Sequence, residues 1–170
     1  MKFITKAAIL FVMAFSVNLA SAQDKKPASP PAEAKGTING ANITIKYSSP
    51  FVKGRTVWGE LVPYGQVWRA GANDATTFET SKAIKVEGKE LAAGTYAFFV
   101  IPEKDGTATL IFNTEAKQWG AYKYDVAKDA LRVTVKTKKA EELAESLVYK
   151  VGKKDVTLAW EYVEIPFSVK

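Results

Sequence analysis

Apolar residues in this chain recur at every second position. Ile43, Ile45 and Tyr47 alternate with Asn42, Thr44 and Lys46, and Leu131, Val133 and Val135 alternate with Arg132, Thr134 and Lys136. Val156, Leu158, Trp160 and Tyr162 repeat the pattern further on. Successive strand side chains point to opposite faces, so each run specifies a strand with one buried face. Residues 96–101 are apolar without a break, as a central strand covered on both faces requires. Residues 108–112 would be its hairpin partner across Lys104-Asp105-Gly106, where Asp-Gly favours a tight turn. Glu87-Gly88-Lys89 and Gly152-Lys153 mark further turns, and Pro166 among Ile165, Phe167 and Val169 marks a bulge or an edge strand. One stretch departs from the period: Ala140, Leu143, Ala144 and Leu147 predict one or two helical turns. The expected fold is all-β, a single antiparallel β-sandwich with at most one short helix; a flattened β-barrel is the alternative.

The first 22 residues are expected to be a secretory signal peptide. Lys2 and Lys6 precede an apolar run over residues 7–19, and Ala20-Ser21-Ala22 is a small-x-small cleavage site. The apolar run is short for a bilayer span and lacks a basic stop-transfer flank, so no membrane span is expected in the mature form. Residues 23–35, with Pro27, Pro30 and Pro31 among Ala, Ser and charged residues, read as a Pro-rich flexible tether. The folded domain is then expected over residues 36–170. Export would place it in the periplasm or outside the cell.

Two absences narrow the chemistry. The chain contains no Cys, which removes disulfides, thiol nucleophiles and thiolate metal sites, and leaves core packing to supply stability. It contains no His, which removes His-based triads, His-ligated metals and imidazole switches. No cofactor and no metal site are expected. Loss of Lys2 and Lys6 would lower the formal charge from +6 to +4, and the lysines at 136, 138, 139, 150, 153 and 154 are interspersed with acids. That is the pattern of a solvated face, and nucleic acid is not an expected partner.

Residues 54–113 carry a more specific pattern. Leu61-Val62-Pro63-Tyr64-Gly65, Trp68-Arg69-Ala70-Gly71-Ala72-Asn73 and Ala75-Thr76 resemble the DUF2911 family of uncharacterised exported bacterial proteins, largely from the Bacteroidota. Ala93-Gly94-Thr95-Tyr96, Ile101-Pro102 and Trp119-Gly120-Ala121-Tyr122 extend the resemblance, and Asp74 stands where the family more often has Glu. The resemblance implies a fold and a compartment. It transfers no catalytic residue.

The candidate ligand-binding residues are therefore read directly: Arg55, Trp68, Arg69, Asn73 and Asp74. Gly71 and Asn73-Asp74 favour a turn between strands, and loops at a sandwich end commonly carry binding sites. An Arg side chain can bind a carboxylate or phosphate bidentately, Asn can bond sugar hydroxyls, and Trp can stack on an apolar ring face. The alternative is internal: Trp68 in the core, Arg69 paired with Asp74 or Glu79, and Asn73 bonded to its own backbone. Tyr96 after Gly94-Thr95 resembles a tyrosine corner, and Trp160 on an alternating face is expected in the core. Trp119, Tyr122 and Tyr124, near Asp125, Asp129 and Arg132, are either a sugar-stacking platform or a plug at one end of the sandwich.

The leading functional expectation is a non-catalytic envelope domain that binds a carbohydrate or an anionic component. Two others stand beside it: a carboxylate-dependent enzyme acting on glycans, through a pair such as Asp74 and Glu79, and a module that recruits a strand at an open sheet edge.

Overall fold

The computed structural model describes residues 27–170. The expected signal peptide and the start of the expected tether lie outside the described residues. Six strands form one antiparallel sheet: β1 (Pro31–Ile38), β2 (Ala41–Ser48), β3 (Thr76–Thr80), β6 (Gly94–Pro102), β7 (Thr107–Asn113) and β8 (Asp129–Lys136). Their spatial order is β1-β2-β3-β6-β7-β8. Two hairpins complete the architecture, β4 (Ile84–Val86) with β5 (Lys89–Leu91), and the long β9 (Lys138–Val151) with β10 (Asp155–Ser168). The terminal strands of the large sheet do not pair with each other, so the sheet is open and the flattened barrel is not formed.

The β9–β10 hairpin lies over one face of the large sheet. Ile43, Ile45, Phe78, Phe98 and Phe112 from the sheet share a core with Leu147, Leu158, Trp160 and Phe167 from the hairpin. Phe98 stacks on Phe167 at 5.8 Å, and Phe78 meets Phe112 edge-on at 5.1 Å. The opposite face of the sheet is covered more lightly: Ala75, Ala97, Phe99 and Ile111 are packed by Val67, Ile101, Ala121 and Tyr124. β6 is thus buried on both faces, as its unbroken apolar run requires. The β6–β7 hairpin also turns where Asp105-Gly106 predicts; the Asp105 carboxylate accepts from the Thr107 amide and hydroxyl.

Three expectations are corrected. The C-terminal part of the expected tether, residues 31–35, belongs to β1, which pairs with β2 along its whole length from Pro31↔Ser48 to Ile38↔Ala41. Its inward residues include Ala32, Ala34 and Gly36, too small to stand out as a hydrophobic period. The sequence did carry a signal in Asn39-Gly40, whose φ angles of 49° and 76° suit a tight hairpin turn. The expected helix over residues 140–147 is strand instead, with Leu143 exposed and Leu147 buried. A helix of one or two turns does not sustain itself, whereas β10 supplies a continuous backbone partner. The helical content among the described residues is one 3-10 turn, Val126–Lys128, capped by the Asp125 side chain. Finally, Tyr162 is not inward. A register shift on either side of Glu161, whose φ is 57°, reverses the phase, so Tyr162 is exposed while Ile165, Phe167 and Val169 are buried.

Tyr96 occupies the expected corner: its hydroxyl donates to the Ala92 carbonyl at 3.0 Å. None of the helices among the described residues is long and apolar enough to cross a membrane.

Candidate functional site

The connection between β2 and β3 spans residues 49–75 and contains all five candidate residues. Backbone bonds shape it into a shelf. Trp68 exchanges two hydrogen bonds of 2.9 Å with Val100 of β6, so the shelf prolongs the line of β3 along the sheet. The next turn is held from beneath: the Ala70 carbonyl accepts from the Thr76 hydroxyl at 2.9 Å and from the buried Tyr149 hydroxyl at 2.7 Å. Ala70 and Asn73 adopt φ of 52° and 59°. Left-handed backbone at a fully buried alanine is costly and persists only where its surroundings hold it, a feature concentrated at functional sites.

Four of the five candidates meet at one cleft of about 270 Å³, lined by Arg55, Trp68, Arg69, Asn73, Pro50 and Trp160 among others. The two cations differ in freedom. Arg55 is tethered, its guanidinium donating to the carbonyls of Phe51 and Val52. Arg69 forms no ion pair among the described residues, and its Nε is buried without a hydrogen-bond partner. The internal pairing of Arg69 with Asp74 or Glu79 is therefore absent. Asn73 donates to the Ser48 hydroxyl at 3.3 Å rather than to its own backbone. Trp160 Nε1 is a second buried donor without a partner. Both belong to residues lining the same cleft.

Trp68 is only 9% exposed, and its ring stacks on Trp160 at 5.8 Å with Trp58 edge-on at 5.6 Å. It supports the cleft more than it offers a free face. Asp74 is not at this cleft. The left-handed turn at Asn73 precedes a bridge between Asp74 and Trp119, and Asp74 lines a neighbouring depression with Thr77 and Gln118. Glu79 lies on β3 opposite Thr95 and does not line that depression, so the named carboxylates do not frame a common cleft. No cluster of three or more acidic residues able to hold a metal occurs among the described residues.

The looser aromatic group divides in two. Tyr124 packs edge-on against Phe99 and donates to the Asp129 carboxylate, a structural role. Trp119 and Tyr122 are 62% and 84% exposed. Sequence reasoning also missed Trp160 as a cleft residue, because only the long-range packing of β10 against the shelf brings it there.

Two tyrosines, Tyr149 buried and Tyr124 half-buried, make the fold sensitive to alkali. Burial, then the Asp129 hydrogen bond, pushes the Tyr124 hydroxyl up to about 12, and burial pushes Tyr149 well above 10. The folded state holds these protons more tightly than the unfolded chain, so their contribution is complete below about pH 10 and is lost as pH rises towards about 12. Thermal unfolding across that window should fall more steeply for the wild type than for Tyr124→Phe; equal slopes would remove Tyr124 from the account.

A family model described as a protein of unknown function, DUF2911, matches residues 29–169. Searches of curated proteins and of solved structures returned no match.

Proposed function

We infer a function from the cleft itself, because the chain belongs to the DUF2911 family, which is defined as of unknown function. The chain is a non-catalytic binding domain of the bacterial envelope. It is exported through its N-terminal signal peptide and captures a ligand bearing a carboxylate or phosphate. Arg69 is the principal anchor, with Arg55 adding positive charge and Asn73 supplying an amide at the rim.

One observation carries this reading: the Arg69 Nε is buried with no protein partner, beside a cleft. Buried polar groups in folded proteins are nearly always satisfied, and a planar guanidinium matches an acid group in two parallel hydrogen bonds. The Trp58–Trp68–Trp160 packing beneath keeps the cleft formed, which limits the ordering cost of binding. A glycan hydrolase built on Asp74 and Glu79 has less support, since the two do not share a cleft. Strand recruitment also has less support: the edge strands carry Pro31 and Lys35 on β1 and Arg132 and Lys136 on β8, residues that discourage pairing.

The test is titration of the purified chain with inorganic phosphate, glucuronate and acidic peptidoglycan fragments, followed by melting temperature and calorimetry. A true ligand raises the melting temperature through linkage. Arg69→Ala should weaken binding by about 1.5–3 kcal/mol, the usual worth of a hydrogen bond to a charged group. No stabilisation by any acid, or undiminished binding by Arg69→Ala, would overturn the reading.

A further inference from the structure

The second aromatic group lines a different cleft that adjoins the shelf: the Gly120 amide donates to the Asn73 carbonyl at 3.2 Å, and the Arg69 Cδ lies 4.0 Å from where a Gly120 Cβ would sit. Trp119 and Tyr122 project from the connection between β7 and the 3-10 turn, 62% and 84% exposed. They line a cleft of about 540 Å³ together with Lys117, Gln118, Lys123 and Asp125. Most of the other aromatic rings in the described residues are packed in the core, so two large rings left open on one short loop need a reason.

The loop that presents them is anchored. Asn113 is fully buried, and its amide donates to the Asp125 carbonyl and the Asp129 carboxylate, both at 2.9 Å, while its oxygen accepts from the Glu115 amide at 3.0 Å. Lys128 pairs with Glu115 at 2.8 Å across the base of the loop. At Gly120, with φ of 63°, the Tyr122 ring lies 3.0 Å from where a Cβ would sit. The loop that carries the two rings is thus anchored at its base before any ligand arrives.

Three polar groups at its edge are not spent on the protein. The Gln118 Oε1 is buried without a hydrogen-bond partner, although its amide nitrogen is satisfied by the Glu115 carbonyl at 2.7 Å. Lys117 and Lys123 form no ion pair among the described residues. Flat aromatic faces bordered by an unpaired acceptor and free donors match one ligand chemistry closely. A pyranose ring has an apolar C–H face to lie on an aromatic ring and equatorial hydroxyls to reach donors and acceptors at its edge.

We propose that the Trp119–Tyr122 cleft is a saccharide-binding site, taking a neutral pyranose unit of a glycan chain beside the acid-binding cleft at Arg69. Trp119 carries the ring, Tyr122 flanks it, and Gln118 accepts from a sugar hydroxyl. A glycan-rich envelope layer would present such units in tandem, so the site would hold the domain on polymer while the Arg69 cleft takes its own ligand.

The experiment titrates the full purified chain with neutral oligomers of glucose, N-acetylglucosamine and mannose, following tryptophan fluorescence and calorimetry. At least one oligomer should bind and shift the emission. Trp119→Ala should weaken that binding about ten-fold or more, as truncation of a central aromatic anchor does. Tyr122→Phe, which keeps the ring, should retain most of it. Trp119 is exposed, so an unaltered melting temperature shows that the variant has folded. Absence of binding by every oligomer would overturn the proposal, as would binding that survives Trp119→Ala. Loss in Arg69→Ala alone would place the sugar in the other cleft and equally overturn it, while leaving the acid-binding reading standing.

Discussion

Replacing Trp160 with alanine should lower the stability of the folded chain by about 3–5 kcal/mol, the range for truncating a large buried aromatic. The indole is 1% exposed, stacked on Trp68 and met edge-on by Trp58. Trp58 in turn donates to the Trp160 carbonyl at 3.3 Å. Removing the ring would open a void between β10 and the shelf that carries Arg69. Because the chain has no disulfide to limit its unfolded state, little else offsets the loss. Denaturant unfolding measures it directly. Trp119→Ala is the matched control, expected to change stability by only about 0.5 kcal/mol or less, as surface substitutions do. Equal effects for the two tryptophans would contradict the assignment of one to the core and the other to the surface.

Gly71→Ala should cost about 1–3 kcal/mol, the usual penalty for forcing an extra methyl into a packed site. A Cβ there would sit 2.8 Å from the Thr76 hydroxyl and 3.1 Å from the Ser48 carbonyl oxygen. Neither atom is free to retreat. The Thr76 hydroxyl is bonded to the Ala70 carbonyl, and the Ser48 carbonyl accepts from the Ala72 amide at 3.1 Å. The strain therefore passes into the turn that places Arg69 and Asn73. Unfolding midpoints measure the stability change, and acid-ligand affinity should fall with it. A variant as stable as the wild type would mean that the shelf is looser than its contacts indicate.

The strands with strong hydrophobic contrast were legible in the sequence, and those without it were not. β2, β8 and the β6–β7 hairpin announce themselves because Ile, Val, Leu and Phe alternate or run unbroken against polar neighbours. β1 did not, since Ala and Gly on its inner face leave only the Asn39-Gly40 turn as a signal. β9 looked helical because four apolar residues happened to fit a 3.6-residue period over eight positions. The long pairing with β10 decided otherwise, and pairing is not a local property. The same limit applied to the candidate site. Arg69 and Asn73 were legible as a polar turn, and their approach to Arg55 follows from the folding of one connection. Asp74 departed because the left-handed residue before it redirects the chain towards Trp119. Trp160 joined because a distant hairpin packs there.

The unpartnered Nε of Arg69 is the centre of the proposed site. The measurement that tests it most directly is a crystal structure of the chain with the acid that most raises its melting temperature. An acid oxygen is expected within hydrogen-bond distance of Arg69 Nε, with Asn73 or Arg55 at the same ligand. A structure in which Arg69 Nε is bonded to a protein carboxylate, and the acid lies elsewhere, would contradict it.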